Sequence, residues 1–89
     1  MAEVTFTENI QRHIACPPRR VTGRNVHEVL EAVFAENERA RGYLLDDQGR
    51  LRKHMVIFVD GQAIKDRISL SDLVPENGEV YVMQALSGG

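Results

Sequence analysis

The residues of this 89-residue chain best placed to do chemistry are its last four, Leu86, Ser87, Gly88 and Gly89. An α-carboxyl group has a pKa of about 3.3–3.7, so a terminus at Gly89 is ionised at neutral pH. Such a carboxylate is a reactive end rather than a catalyst. Glycine has no Cβ, so Ser87-Gly88-Gly89 can enter a narrow channel closed to bulkier sequence.

Other groups are poorer candidates. His13 and Cys16 stand at H-x-x-C spacing, but zinc takes four protein ligands in structural sites and three in most catalytic ones. His27 and His54, the remaining imidazoles, fall in other segments, so no metal site is expected. Cys16, beside Pro17-Pro18, is either a reactive thiol or, as more cysteines are, buried or idle. Asp46-Asp47 and Asp60 read as turn residues rather than a paired acid and base. Arg50, Arg52, Lys53 and His54 form a basic cluster that either meets an acidic partner groove or is a solvated strand entrance. No nucleophile with an adjacent base and no phosphate-binding glycine motif is present, so the chain is expected not to be an enzyme.

Composition narrows the classes further. The net charge of -2 argues against a general nucleic-acid binder, which needs a strongly basic face. There is no apolar run long enough to span a membrane and no recognisable secretory leader. A single cysteine builds no disulfide framework. A cytoplasmic protein, monomeric when free, is the expectation.

These termini and clusters must be carried by a small body. Val4 and Phe6 alternate with Thr5 and Thr7 as in a half-buried strand, and Arg19 to Gly23 is expected to pair back on it as a hairpin. Asn25 and Glu28 resemble a capping box. Val26, Val29, Leu30, Val33 and Phe34 then form one helical stripe, ending near Asn37. Tyr43 to Leu45 lead into the turn DDQG. The run LRKHMVIFVDG reads as a strand closed by Asp60-Gly61. Leu70 and Leu73 are expected to plug the core, Pro75 to Gly78 to turn, and Val80 to Met83 to form the last strand. The expected fold class is α+β, a mixed sheet of four to five strands on one main helix. The domain is placed at 1–83 and the tail at 84–89. Period two sends Val80, Val82, Ile57 and Val59 inward. It leaves Phe58, Tyr81 and Met83 as an outward apolar patch for a partner, Val56 sharing their side and Leu86 anchoring the tail.

A ββαβ…β chain whose last strand runs into a short Gly88-Gly89 tail resembles the β-grasp, ubiquitin-like fold. Within it, IFVDGQAI and EVYVMQALSGG resemble the sulfur-carrier family, which includes the small subunit of molybdopterin synthase and the thiamine sulfur carrier. The long connection LLDDQGRLRKHMVIFVDG is more like carriers serving cysteine, homocysteine or thio-siderophore synthesis. The resemblance implies a cycle at Gly89. An E1-like adenylyltransferase spends ATP to adenylate the carboxylate, and a sulfur donor enzyme converts it to a thiocarboxylate. A sulfur-accepting biosynthetic enzyme then consumes it. In the cysteine-type branch a metalloprotease trims the product free. No cofactor is bound by the carrier itself. The same tail would serve the small subunit of a molybdopterin synthase-type complex, and the same fold a ubiquitin-like modifier or docking module.

Overall fold

The computed structural model describes residues 1–85. Leu86, Ser87, Gly88 and Gly89 lie outside them, and so do the expectations for those four; Gln84, expected in the tail, belongs instead to the last strand. Five strands form one mixed sheet in the order β2-β1-β5-β3-β4. Strand β1 (Ala2–Phe6) alternates buried and exposed side chains. It pairs antiparallel with β2 (Arg19–Val21) and parallel with β5 (Glu79–Gln84). Strand β5 therefore lies at the centre of the sheet, with β3 (Met55–Val59) antiparallel on its other side. Strand β4 (Gln62–Ala63) is the short edge.

The two N-terminal strands pair antiparallel as expected, but no tight hairpin joins them. A short helix, α1 (Glu8–Gln11), lies between. Ile10 and Ile14 are one helical turn apart, and burying both with Cys16 favours a folded connection over an extended one.

The main helix, α2 (Val26–Glu36), forms where the apolar stripe predicts it. Val26, Val29, Leu30, Val33 and Phe34 are all buried. They join Val4, Phe6, Ile57, Val80 and Val82 from the sheet in one core, each such side chain contributing roughly 1.5–3 kcal/mol. Asn25 Oδ1 accepts from the Glu28 amide at 2.8 Å, as a capping box requires. Glu28 differs from the expected box: its carboxylate accepts from the Arg24 amide, at 2.8 Å.

Helix α3 (Glu38–Leu44) was not legible. Gly42 looks like a terminator, yet it sits inside the helix, facing open solvent. The burial of Ala40 and Leu44 outweighs the roughly 0.5–1 kcal/mol that a mid-helix glycine costs. Arg41 also ties α3 to α2, pairing with Glu31 and lying over the Phe34 ring at 4.9 Å.

The third strand is shorter than its sequence suggests. Leu51 makes an isolated bridge to Leu45, and Lys53-His54 turn before Met55. The Arg52 amide donates to Leu44 O at 3.0 Å, holding this segment against the end of α3. At the other end Asp60 (φ 50°) and Gly61 (φ 84°) form a two-residue turn between Val59 and Gln62, the primed geometry that Asp-Gly favours.

One expected core residue is misplaced. Leu70 is buried, but Leu73 is 77% exposed. Leu70 has a left-handed backbone (φ 56°), and this bend alters the phase of the following residues. Leu73 engages Asn25 by a backbone bridge, and Val74 fills the core in its stead.

Candidate functional site

The site of interest is the end of β5, where the described chain stops. The register sets Gln84 opposite Met55, and the Ala85 amide donates to His54 O at 2.7 Å. Gln84 is held a second time: Tyr43 Oη donates to its Oε1 at 2.8 Å. The His13 ring stacks on Tyr43, with centroids 5.6 Å apart. Residues from α3, the segment after α1 and the turn before β3 thus hold the end of β5. None of this support was visible in the sequence, because His13, Tyr43 and Gln84 share no spacing pattern.

The outer face of the sheet carries the predicted side chains. Phe58 lies opposite Tyr81, and Val56 opposite Met83. Val80, Val82 and Ile57 are buried on the inner face, Val59 half-buried against the same core. Tyr81 is 42% exposed, and Phe58 and Met83 are half-buried. Phe58, Tyr81 and Met83 line one shallow groove of about 480 Å³, together with Glu3, Thr5 and Glu79. Glu3 and Glu79 are direct partners across the parallel pair, an arrangement of like charges that destabilises slightly. A cation from outside would relieve it. The groove is thus apolar toward the end of β5 and acidic at its far end.

Elsewhere the candidates separate. Cys16 is buried and accepts from Asn37 Nδ2 at 3.4 Å. Burial pushes its thiol up from the ordinary value, with the nearby Arg19 opposing; a thiol held protonated is a weak nucleophile. Among the described residues no group of three or more His, Cys, Asp or Glu could hold a metal ion. Asp46 and Asp60 act in turns. Asp46 accepts from the amides of Gln48 and Arg50, which holds its carboxyl below the usual range, and Asp60 accepts from the Glu79 amide at 2.8 Å. No described helix is long and apolar enough to cross a membrane.

Neither a protein-family model nor a curated protein matches this sequence. Solved structures do. A chain of the Amycolatopsis orientalis BexX/CysO complex superposes with a TM-score of 0.83 at 15% identity, covering 100% of both chains. Mycobacterium tuberculosis CysO gives 0.81 at 16% identity, over 97% of this chain and 100% of that one. SAMP1 from Haloferax volcanii gives 0.78 at 20%, over 99% and 98%. The fold is the ubiquitin-like β-grasp. At such identities the likeness establishes the fold along the whole described chain. In this β-grasp, β5 is the central strand, so Gln84 lies in the middle of the sheet rather than at an edge.

Proposed function

We propose that this β-grasp protein is a sulfur carrier, a cosubstrate of partner enzymes in the cytoplasm rather than an enzyme. Its working group is the carboxylate of Gly89. In the first step a carboxylate oxygen attacks the α-phosphate of ATP on an E1-like adenylyltransferase, and pyrophosphate leaves. Hydrosulfide supplied by a sulfur donor then attacks the acyl carbonyl, AMP leaves, and loss of the S–H proton gives the thiocarboxylate. The resulting thiocarboxylate passes sulfur to a biosynthetic enzyme making a sulfur-containing metabolite: cysteine or homocysteine, a thio-siderophore, molybdopterin or thiamine. In a cysteine-type pathway a metalloprotease completes the release.

The observation that carries this reading is the anchored end of β5. Ala85 and Gln84 are held by His54 O and Tyr43 Oη, beside the apolar groove of Phe58, Tyr81 and Met83. Four residues beyond Ala85 reach at most about 14 Å when extended. A partner docked on the groove is therefore within reach of Gly89, with Leu86 as the tail's anchor and Ser87-Gly88 as its slender part. The likeness to CysO and to a chain of the BexX/CysO complex supports the same reading. The Haloferax volcanii neighbour, also solved as small archaeal modifier protein 1, favours a second reading, in which Gly89 is joined to lysines of other proteins.

The deciding experiment is mass spectrometry of the C-terminal peptide from protein purified out of its own cells. A carrier shows one oxygen of the Gly89 carboxyl replaced by sulfur, a group that alkylates with iodoacetamide. A modifier shows Gly89 in isopeptide linkage. An unmodified terminus, together with failure of an E1-like enzyme and ATP to adenylate the protein, overturns both readings.

A further inference from the structure

The basic cluster foreseen at residues 50–54 gains a member that the sequence did not suggest. Arg67 comes from the following loop to border the same depression as Arg50, Arg52, Lys53 and His54. Its Nη2 donates to the carbonyls of Arg52 at 2.8 Å and Met55 at 2.6 Å. Arg52 Nε donates to Gly42 O at 3.1 Å. These acceptors are neutral carbonyls, so they fix the guanidinium groups without cancelling their charge. Among the described residues, Arg50 pairs with Asp46, while Arg52, Lys53 and Arg67 enter no ion pair. A guanidinium has five N–H donors, and the described residues occupy few of these. The collar adjoins the tail root, because His54 O is the acceptor for the Ala85 amide.

We propose that this collar is a second interaction surface, which binds a carboxylate-rich segment of the partner that receives the tail; the identity of that partner rests on the carrier reading. Preorganised guanidinium forks suit planar carboxylates. Ile68, 67% exposed on the rim of the same depression, offers apolar contact to a peptide. Asp46 lines the same depression, Asp66 adjoins Arg67 in sequence and the whole chain is negative, which disfavours a long polyanion or an anionic membrane. The collar and the groove thus differ in kind. The groove is apolar with an acidic end, and the collar is basic. Engaging both would fix the orientation of the tail.

The test uses the full chain, ¹⁵N-labelled, titrated with a hexaglutamate peptide. A single-stranded oligonucleotide and phosphatidylglycerol vesicles serve as comparison probes. The expected result is amide shifts confined to residues 50–54, 67–68 and 85, reversed by added salt and lost in Lys53→Glu and in Arg52→Glu/Lys53→Glu. With the E1-like enzyme, the double variant is expected to raise KM by roughly tenfold with kcat unchanged, as for loss of rim charge pairs. Lys53→Glu, which breaks no side-chain hydrogen bond among the described residues, guards against misfolding and is expected to raise KM by a smaller factor. The proposal is overturned if the peptide leaves the collar unmoved, if the oligonucleotide or vesicles bind it more tightly, or if KM is unchanged. It is also overturned if removing residues 88–89 shifts the collar without any peptide, which would give the site to the chain's own carboxylate. Wild-type protein that binds the peptide at the collar but is never adenylated would count against the carrier reading alone.

Discussion

At the residue scale, single side chains hold the irregular parts of the molecule. Asp66 gathers the loop before β5: its carboxylate accepts from the amides of Ile68, Ser69 and Ser71 and from Ser71 Oγ. These bonds, the Ser71 hydroxyl first, lower its pKa from 3.8 to about 2. Asp72 shifts in the same direction, by accepting from the amides of Asp66 and Lys65. A carboxyl whose folded pKa is depressed stabilises the fold above its unfolded pKa and loses that contribution as pH falls through the folded value. The thermal midpoint is therefore expected to drop between pH 3.8 and about 2. Asp66→Asn should lower the midpoint at neutral pH and flatten its slope in that acid range. Calorimetry of both proteins across the range checks this, and parallel curves would refute it. Tyr43→Phe loses the bond to Gln84 Oε1. We expect faster hydrogen exchange at Ala85 with little change in global stability.

At the element scale, the α2 contribution divides into cap and stripe. Asn25→Ala removes the side-chain acceptor of the Glu28 amide and should cost about 1 kcal/mol. Phe34→Ala should cost about 3–5 kcal/mol, because Phe34 is buried in the core and also lies under the Arg41 guanidinium. Denaturant unfolding distinguishes the two; equal losses would mean that the stripe is not what holds α2. Gly23 is a third constraint. A Cβ there would meet Val29 Cγ2 and the Val29 amide nitrogen at 2.8 Å, so Gly23→Ala forces the start of α2 away from the chain beside it.

At the scale of the whole molecule, body and tail should be separable. Deleting residues 88–89 removes nothing from the described core, which ends at Val82 in β5, so the melting temperature is expected to stay within error. Adenylation by an E1-like partner should be abolished. If the truncated chain is still activated, Gly89 is not the working end. Tyr81→Glu places a third carboxylate in the groove beside Glu3 and Glu79. The expected outcome is normal unfolding with partner binding weakened by about tenfold or more, as when a central anchor residue is lost. Unchanged affinity would remove the groove from the docking surface.

The α2 stripe, its Asn25 cap, the Asp60-Gly61 turn and the inward phase of Val80 and Val82 could all be read along the chain. Each is a local pattern, with period 3.6, period two, or a backbone preference of one or two residues. Helix α3 could not be read, since Gly42 contradicts it locally and its support is tertiary: the burial of Ala40 and Leu44 and the contacts of Arg41 with Glu31 and Phe34. The exposure of Leu73 follows from the left-handed bend at Leu70, which hydrophobicity does not encode. The sequence alone placed Phe58, Tyr81 and Met83 on one side, because strand alternation dictates it. Tertiary structure decided that Arg67 joins the basic collar and that Tyr43 and His54 hold the end of β5. Those contacts link residues far apart in sequence, and their partners are determined by how the elements pack.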